Sequence, residues 1–420
     1  MGEKNKAIIE YQTAISVNPN SAQAYNNLAI IYKSLQKHDK AELLIKKSIT
    51  LAPLKAGAYV NLGSILLEQG KNNEAADSIR KAIQLQPKNI RFWSKLANCF
   101  TFTSTANEIA QKLLHFEDKL NTKSTDVSFL YFALGKIFKD CGAFEQSYKY
   151  YKKANKIQDK SVNYPPKRIE NIFKDNKDFF TSSRLNITVT EIGQSTLSPV
   201  FVVGLPRTGK TLIESILSNH PSIGALGEYH MIQNIISRLN QNNNYPQCLM
   251  DLNDSDKNRL SQEYVNYQNS IAKTNSIMTI DTMGSNSLHL GFIYTLFPNA
   301  KIIWCERDTL DCSLHNFFKC FRSGYEYSYN LKNLAHYISH HQKCMNYWNQ
   351  TIPSAIYKVN YDDLILDTKN VMININKFLG INCHETITPA IKLKNDEINI
   401  SGKYPEFTKE LERHLKQVRL

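Results

Sequence analysis

The residues best suited to do chemistry in this chain lie in one glycine-punctuated loop, Gly204-Leu205-Pro206-Arg207-Thr208-Gly209-Lys210-Thr211. Arg207 and Lys210 bring positive charge, and Thr208 and Thr211 bring hydroxyls. The glycines permit backbone angles that let main-chain N–H groups close on an anion. Such a loop binds phosphate when a strand feeds it and a helix follows, because the helix adds unpaired N–H groups and the positive end of its dipole. The loop also matches G-x-x-x-x-G-K-[ST], the nucleoside-triphosphate pattern, which would put Lys210 on the β/γ-phosphates and Thr211 on magnesium. Glu228, Asp281 and Arg307 follow apolar runs or lie beside this loop in the sequence.

The elements needed to position these residues are legible around them. The β-branched run Val200-Phe201-Val202-Val203 precedes the loop, and Leu212, Ile213, Ile216 and Leu217 follow it at helical spacing. Further apolar runs occupy residues 276–280, ending at Asp281, residues 300–304, leading to Arg307, and residues 355–359, leading to Tyr361. After the loop helix come His220-Pro221, a turn, and Gly227-Glu228. Short apolar strands separated by helices predict a parallel sheet covered on both faces, with ligands at the carboxyl ends of the strands.

The first part of the chain is periodic. Pro19, Pro53 and Pro87 lie 34 residues apart, as do Ala7, Ala41 and Ala75, then Tyr25, Tyr59 and Trp93, then Leu28, Leu62 and Leu96. This register resembles the tetratricopeptide (TPR) repeat, a helix pair closed by proline. A weaker stretch covers residues 98–123, and a last good repeat covers residues 128–158. Gly2 is the equivalent of Gly70, so the first repeat is expected to lack its first helix and the given start to truncate a longer array. Such arrays bind a peptide or partner protein in a groove, or serve as a scaffold. The expected division is repeats over 1–160, a helical connector over 161–197 and an α/β domain over 198–420.

Composition narrows the class. Of 420 residues, 42% are hydrophobic and 21% charged, as in soluble globular proteins, and the expected location is cytoplasmic. No apolar run would span a membrane, and the first residues lack a signal-peptide core. The net charge of +13 suits a polyanionic ligand; no nucleic-acid-binding motif accompanies it. Eight scattered cysteines, none in C-x-x-C spacing, read as reduced thiols rather than zinc ligands.

The order Pro206-Arg207-x-Gly209-x-Thr211-Leu212, His220-Pro221, Gly227-Glu228, Phe297-Pro298-Asn299-Ala300-Lys301-Ile302-Ile303 and Arg307-Asp308 resembles the bacterial TPR-sulfotransferases, relatives of the tyrosylprotein sulfotransferases. Val359-x-Tyr361-x-x-Leu364, Phe378-Leu379-Gly380 and Ser401-Gly402-Lys403-Tyr404 extend the match, and the repeats share the architecture. The resemblance implies a P-loop-like parallel-sheet domain using 3′-phosphoadenosine 5′-phosphosulfate (PAPS), without metal, to sulfate a hydroxyl on a protein tyrosine, a glycan or a small molecule. It implies Glu228 as base and the 5′-phosphate held by Arg207, Thr208, Gly209, Lys210 and Thr211. It further implies Arg307 on the 3′-phosphate, with Tyr361 and Lys403 against the nucleotide.

Three departures qualify it. Thr282 stands where the family has the lysine that holds the sulfuryl oxygens, so Lys210, where the family has threonine, is expected to supply that charge. His315 replaces a phosphate-binding serine, with Ser313 as a substitute, and the tail between Cys383 and Ser401 is short. A nucleoside triphosphatase or kinase, with Asp281 or Asp308 on magnesium, and a degenerate non-catalytic binding protein remain the alternatives.

Overall fold

Helix pairs build the first part of the chain, as the 34-residue period predicts. The computed structural model describes residues 2–35, 37–119, 126–185, 198–240, 244–271, 276–321, 324–381 and 398–419. The helices are α1 (Gly2–Val17), α2 (Ala22–Ser34), α3 (His38–Leu51), α4 (Ala56–Glu68), α5 (Asn72–Leu85), α6 (Ile90–Ala97), α7 (Glu108–Asp118), α8 (Asp126–Asp140) and α9 (Phe144–Asp159). α2 packs on α3, α4 on α5 and α8 on α9. Pro19, Pro53 and Pro87 each fall two residues past a helix end, where a missing N–H and a fixed φ stop the helix. Ala41 and Ala75 are fully buried, Leu28 is buried, and Leu62 and Leu96 line the shared core. Gly63 is a true close approach: a Cβ there would stand 2.6 Å from Ile79 Cγ1. The pattern weakens over residues 98–123 because α6 ends at Ala97 and α7 begins only at Glu108, so an irregular segment interrupts the pairing.

The second part contains α10 (Pro166–Phe179), α11 (Ser182–Leu185), β1 (Ser198–Val203), α12 (Lys210–Leu217), β2 (Ile223–Gly227), α13 (Met231–Leu239), α14 (Asp254–Ile271), β3 (Met278–Asp281) and α15 (Leu290–Leu296). It continues with β4 (Lys301–Glu306), α16 (Thr309–Phe317), α17 (Leu331–Thr351), β5 (Ile356–Asn360), α18 (Tyr361–Leu366), α19 (Thr368–Leu379) and α20 (Pro405–Arg419). The strands form one parallel sheet in the order β2-β3-β1-β4-β5. Val200, Phe201, Val202 and Val203 have no exposed surface, which explains an unbroken apolar run instead of alternation. β2 was not foreseen: its sequence, Ile-Gly-Ala-Leu-Gly, carries two glycines and one β-branched residue, so it reads as a turn.

By contacts the chain divides into Met1–Asn163 with Phe317–Asn330, and Tyr164–Asn316 with Leu331–Leu420. α10, part of the expected connector, packs on α17 in the second unit. Connector residues 186–197, Cys383 and most of the tail before Ser401 lie outside the described residues. The cysteines within the described residues are free thiols.

Candidate functional site

β1 leads directly into the loop, and β1 and β4 are neighbours paired from Val200↔Lys301 to Val203↔Trp304. The chain leaves β1 toward β2 on one side and leaves β4 toward β5 on the other, so a crevice opens between their carboxyl ends. Gly204 fills its floor at φ 141°; a Cβ there would stand 2.2 Å from the Cys305 carbonyl oxygen, so no larger residue fits. Arg207 and Gly209 also take left-handed angles, φ 70° and 92°, and Gly209 caps α12. A non-glycine residue held there stores strain that its surroundings must offset.

The loop carbonyls are fastened inward by side chains. Lys210 Nζ donates to the carbonyls of Gly204 (3.0 Å) and Leu205 (2.9 Å), and Thr208 Oγ1 also donates to Leu205 (2.7 Å). Asn316 Nδ2 donates to the Pro206 carbonyl at 3.1 Å, with Cys312 Sγ at 3.6 Å. Arg307 Nη1 donates to the Arg207 carbonyl at 3.2 Å. Four consecutive carbonyls are thereby bonded to side chains, so the loop's negative dipole ends are satisfied within the protein. The first N–H groups of α12 have no intrahelical acceptor. A cradle of such N–H groups at a helix start can take an anion.

The structure brings most of the foreseen residues together around it. Arg307 is buried, with its guanidinium 4.2 Å from the centre of the Tyr361 ring and 3.9 Å from Asp311. Tyr361 in turn packs on Gly209, where a Cβ would stand 3.0 Å from its Cδ2. Asp311 Oδ1 accepts from Ser401 N at 2.8 Å, which ties the segment carrying Lys403 to α16; the Lys403 side chain is exposed. His315 is buried one helical turn beyond Asp311, whereas Ser313 spends its hydroxyl on the Thr309 carbonyl at 2.6 Å. Arg207 and Thr211 are exposed.

Glu228 is exposed just past β2, while Tyr229 behind it is fully buried and stacked on Tyr267 at 4.6 Å. The Glu228 carboxylate is near enough to act on the Lys210 charge. Lys210 itself is buried, and loss of solvation pushes its ammonium below the ordinary lysine range. Its Nζ lies 3.6 Å from where a Gly284 Cβ would be, beside the segment that holds Thr282. Thr282 is turned away from the cradle: its N–H donates to the Gly227 carbonyl (3.0 Å) and its hydroxyl to Glu214 Oε2 (3.3 Å).

Glu214 and, at the Pro206 carbonyl, Asn316 gave no sequence signal. Glu214 is buried in α12 and accepts from Gly227 N at 2.8 Å; burial raises its pKa to about 7. Asp281, also raised to about 7 by burial, accepts from Tyr264 (2.9 Å) and Met283 N (2.9 Å). Asp308 caps α16 by accepting from Leu310 N and Asp311 N. Both carboxylates nominated for magnesium are therefore committed to internal bonds. Cys305 and Cys312 adjoin the loop, and burial pushes their thiols up to about 12, which disfavours the thiolate form.

Residues 199–385 match the sulfotransferase family model, and residues 10–42, 56–89 and 130–161 match tetratricopeptide repeat models. A protein of Aquifex aeolicus (strain VF5), described as uncharacterized, is 23% identical over 276 residues, covering 63% of this chain and 36% of the relative. The chain thus spans about a third of that relative's length. Among solved structures, the sulfotransferase domain from the Synechococcus PCC 7002 olefin synthase is 17% identical, covers 52% of this chain and 98% of that one, and has a TM-score of 0.33. MamA is 23% identical, covers 39% of this chain and 93% of that one, and has a TM-score of 0.31. Residues 199–385 thus match the sulfotransferase family model, and the stretches before them match tetratricopeptide repeat models.

Proposed function

We propose that this chain transfers a sulfuryl group from PAPS to an acceptor hydroxyl. The observation that carries the reading is the inward fastening of the carbonyls of residues 204 to 207, which supports an amide-lined anion site at the β1–β4 crevice. The α12 amides, with Arg207, Thr208, Gly209, Lys210 and Thr211, would hold the 5′-phosphate. Arg307, with a planar fork, would hold the 3′-phosphate beside His315, and Tyr361 and Lys403 would flank the nucleotide. Glu228 would take the acceptor's proton as its oxygen attacks sulfur and the sulfur–oxygen bond to the 5′-phosphate breaks. The ammonium of Lys210, beside the segment in which threonine replaces lysine, would supply the missing charge. The repeats would engage the acceptor or a partner protein.

Calorimetry with the desulfated product PAP against ATP with magnesium tests this. PAP is expected to bind selectively, and Arg307→Ala to weaken it about 10- to 100-fold, the worth of a charge-assisted bond. Preference for magnesium-ATP would return the loop to the triphosphatase reading, and binding of neither would leave a scaffold without this chemistry.

A further inference from the structure

His336 and His340 stand one turn apart on α17, so their side chains share a face of that helix. α10 packs against that helix and brings Glu170, 166 residues from His336 in sequence, to the same place. One ligand atom from each of the three residues lies within 4.8 Å of the other two. His336 Nε2 is 2.8 Å from Glu170 Oε1. Its other ring nitrogen, Nδ1, is 2.8 Å from the Tyr164 hydroxyl, and the His340 ring stacks on Phe173 at 5.7 Å and 12°. Phe173 thus orients the His340 ring, and Tyr164 and Glu170 orient that of His336. None of these residues belongs to the phosphate crevice.

We propose that Glu170, His336 and His340 bind one divalent transition-metal cation, zinc by preference, and clamp α10 to α17. Two imidazoles and a carboxylate with water in the fourth position is a donor set that zinc accepts. Metal–ligand bonds of about 2.0–2.1 Å place tetrahedral donors roughly 3.3 Å apart, so donors that now lie within 4.8 Å of one another would close by about 1.5 Å at most. With the cation on Nε2, a neutral His336 carries its proton on Nδ1 and donates it to the Tyr164 oxygen, the outer-shell bond that fixes a ligating histidine. The cysteine spacing pointed away from a zinc site; the histidines supply one that no C-x-x-C pattern signals.

The test is a zinc titration of the full chain, stripped with EDTA, against a chromophoric competitor. Wild type is expected to take up one tight equivalent, and cobalt in its place to show the visible absorption of a four-coordinate site. Glu170→Ala alters an exposed side chain and should leave the fold intact while weakening zinc at least about 100-fold, beyond the 10–100-fold cost of outer-shell changes. Tyr164→Phe should weaken it about tenfold, and zinc should raise the melting temperature of wild type but not of Glu170→Ala. No stoichiometric zinc, or zinc held equally tightly by Glu170→Ala, would overturn the proposal.

Discussion

At the scale of single residues, Glu228 and Lys210 carry separable expectations. Glu228 is exposed and fastens none of the loop carbonyls, so Glu228→Gln removes the proposed base without disturbing the cradle. Its expected effect is a fall of about 10²–10⁴-fold in turnover with PAP affinity unchanged. Equal loss of PAP binding would make Glu228 a ligand contact instead. Lys210 both fastens two carbonyls and brings charge next to Gly284. Lys210→Thr restores the family residue yet leaves no cation where Thr282 has none to offer, so transfer is expected to be abolished. Transfer at the wild-type rate would show that Lys210 does not stand in for the absent lysine.

At the scale of elements, helix pairing in the repeats depends on small residues at the crossings. Gly63 on α4 faces Ile79 on α5 with no room for a methyl group, and the same crossing recurs where Gly135 on α8 meets the Tyr151 ring on α9. Gly63→Ala gains helix propensity but overpacks this contact, and overpacking costs about 1–3 kcal/mol. The melting temperature is expected to fall by several degrees. A rise would mean that Ile79 relaxes freely and that the close approach does not determine the pairing. The period and its prolines were readable because each element repeats the same packing problem. β2 was not readable, since a short edge strand with two glycines carries no periodicity.

At the scale of the whole molecule, buried carboxyls couple stability to pH. The Glu214 and Asp281 carboxyls are raised to about 7 by burial, so between roughly pH 4.5 and 7 the folded chain holds protons that the unfolded chain has lost. Their contribution is fully present at low pH and is lost as pH rises through 7. Glu214→Gln is expected to remove on the order of 3 kcal/mol from the stability difference between pH 5 and pH 8. Denaturant unfolding at both pH values checks this; an unchanged difference would show that Glu214 does not titrate with folding. Local chemistry was enough to reveal the repeat register, the strand–loop–helix around Gly204 to Thr211 and the sulfotransferase resemblance, because each is written in residues close together in the chain. The inward fastening of the loop by Asn316, Cys312 and Arg307, the turning of Thr282 toward Glu214, and the meeting of Glu170 with His336 and His340 join residues far apart in sequence. Sequence spacing carries no record of such contacts, and only the packing of strands and helices brought them within bonding distance.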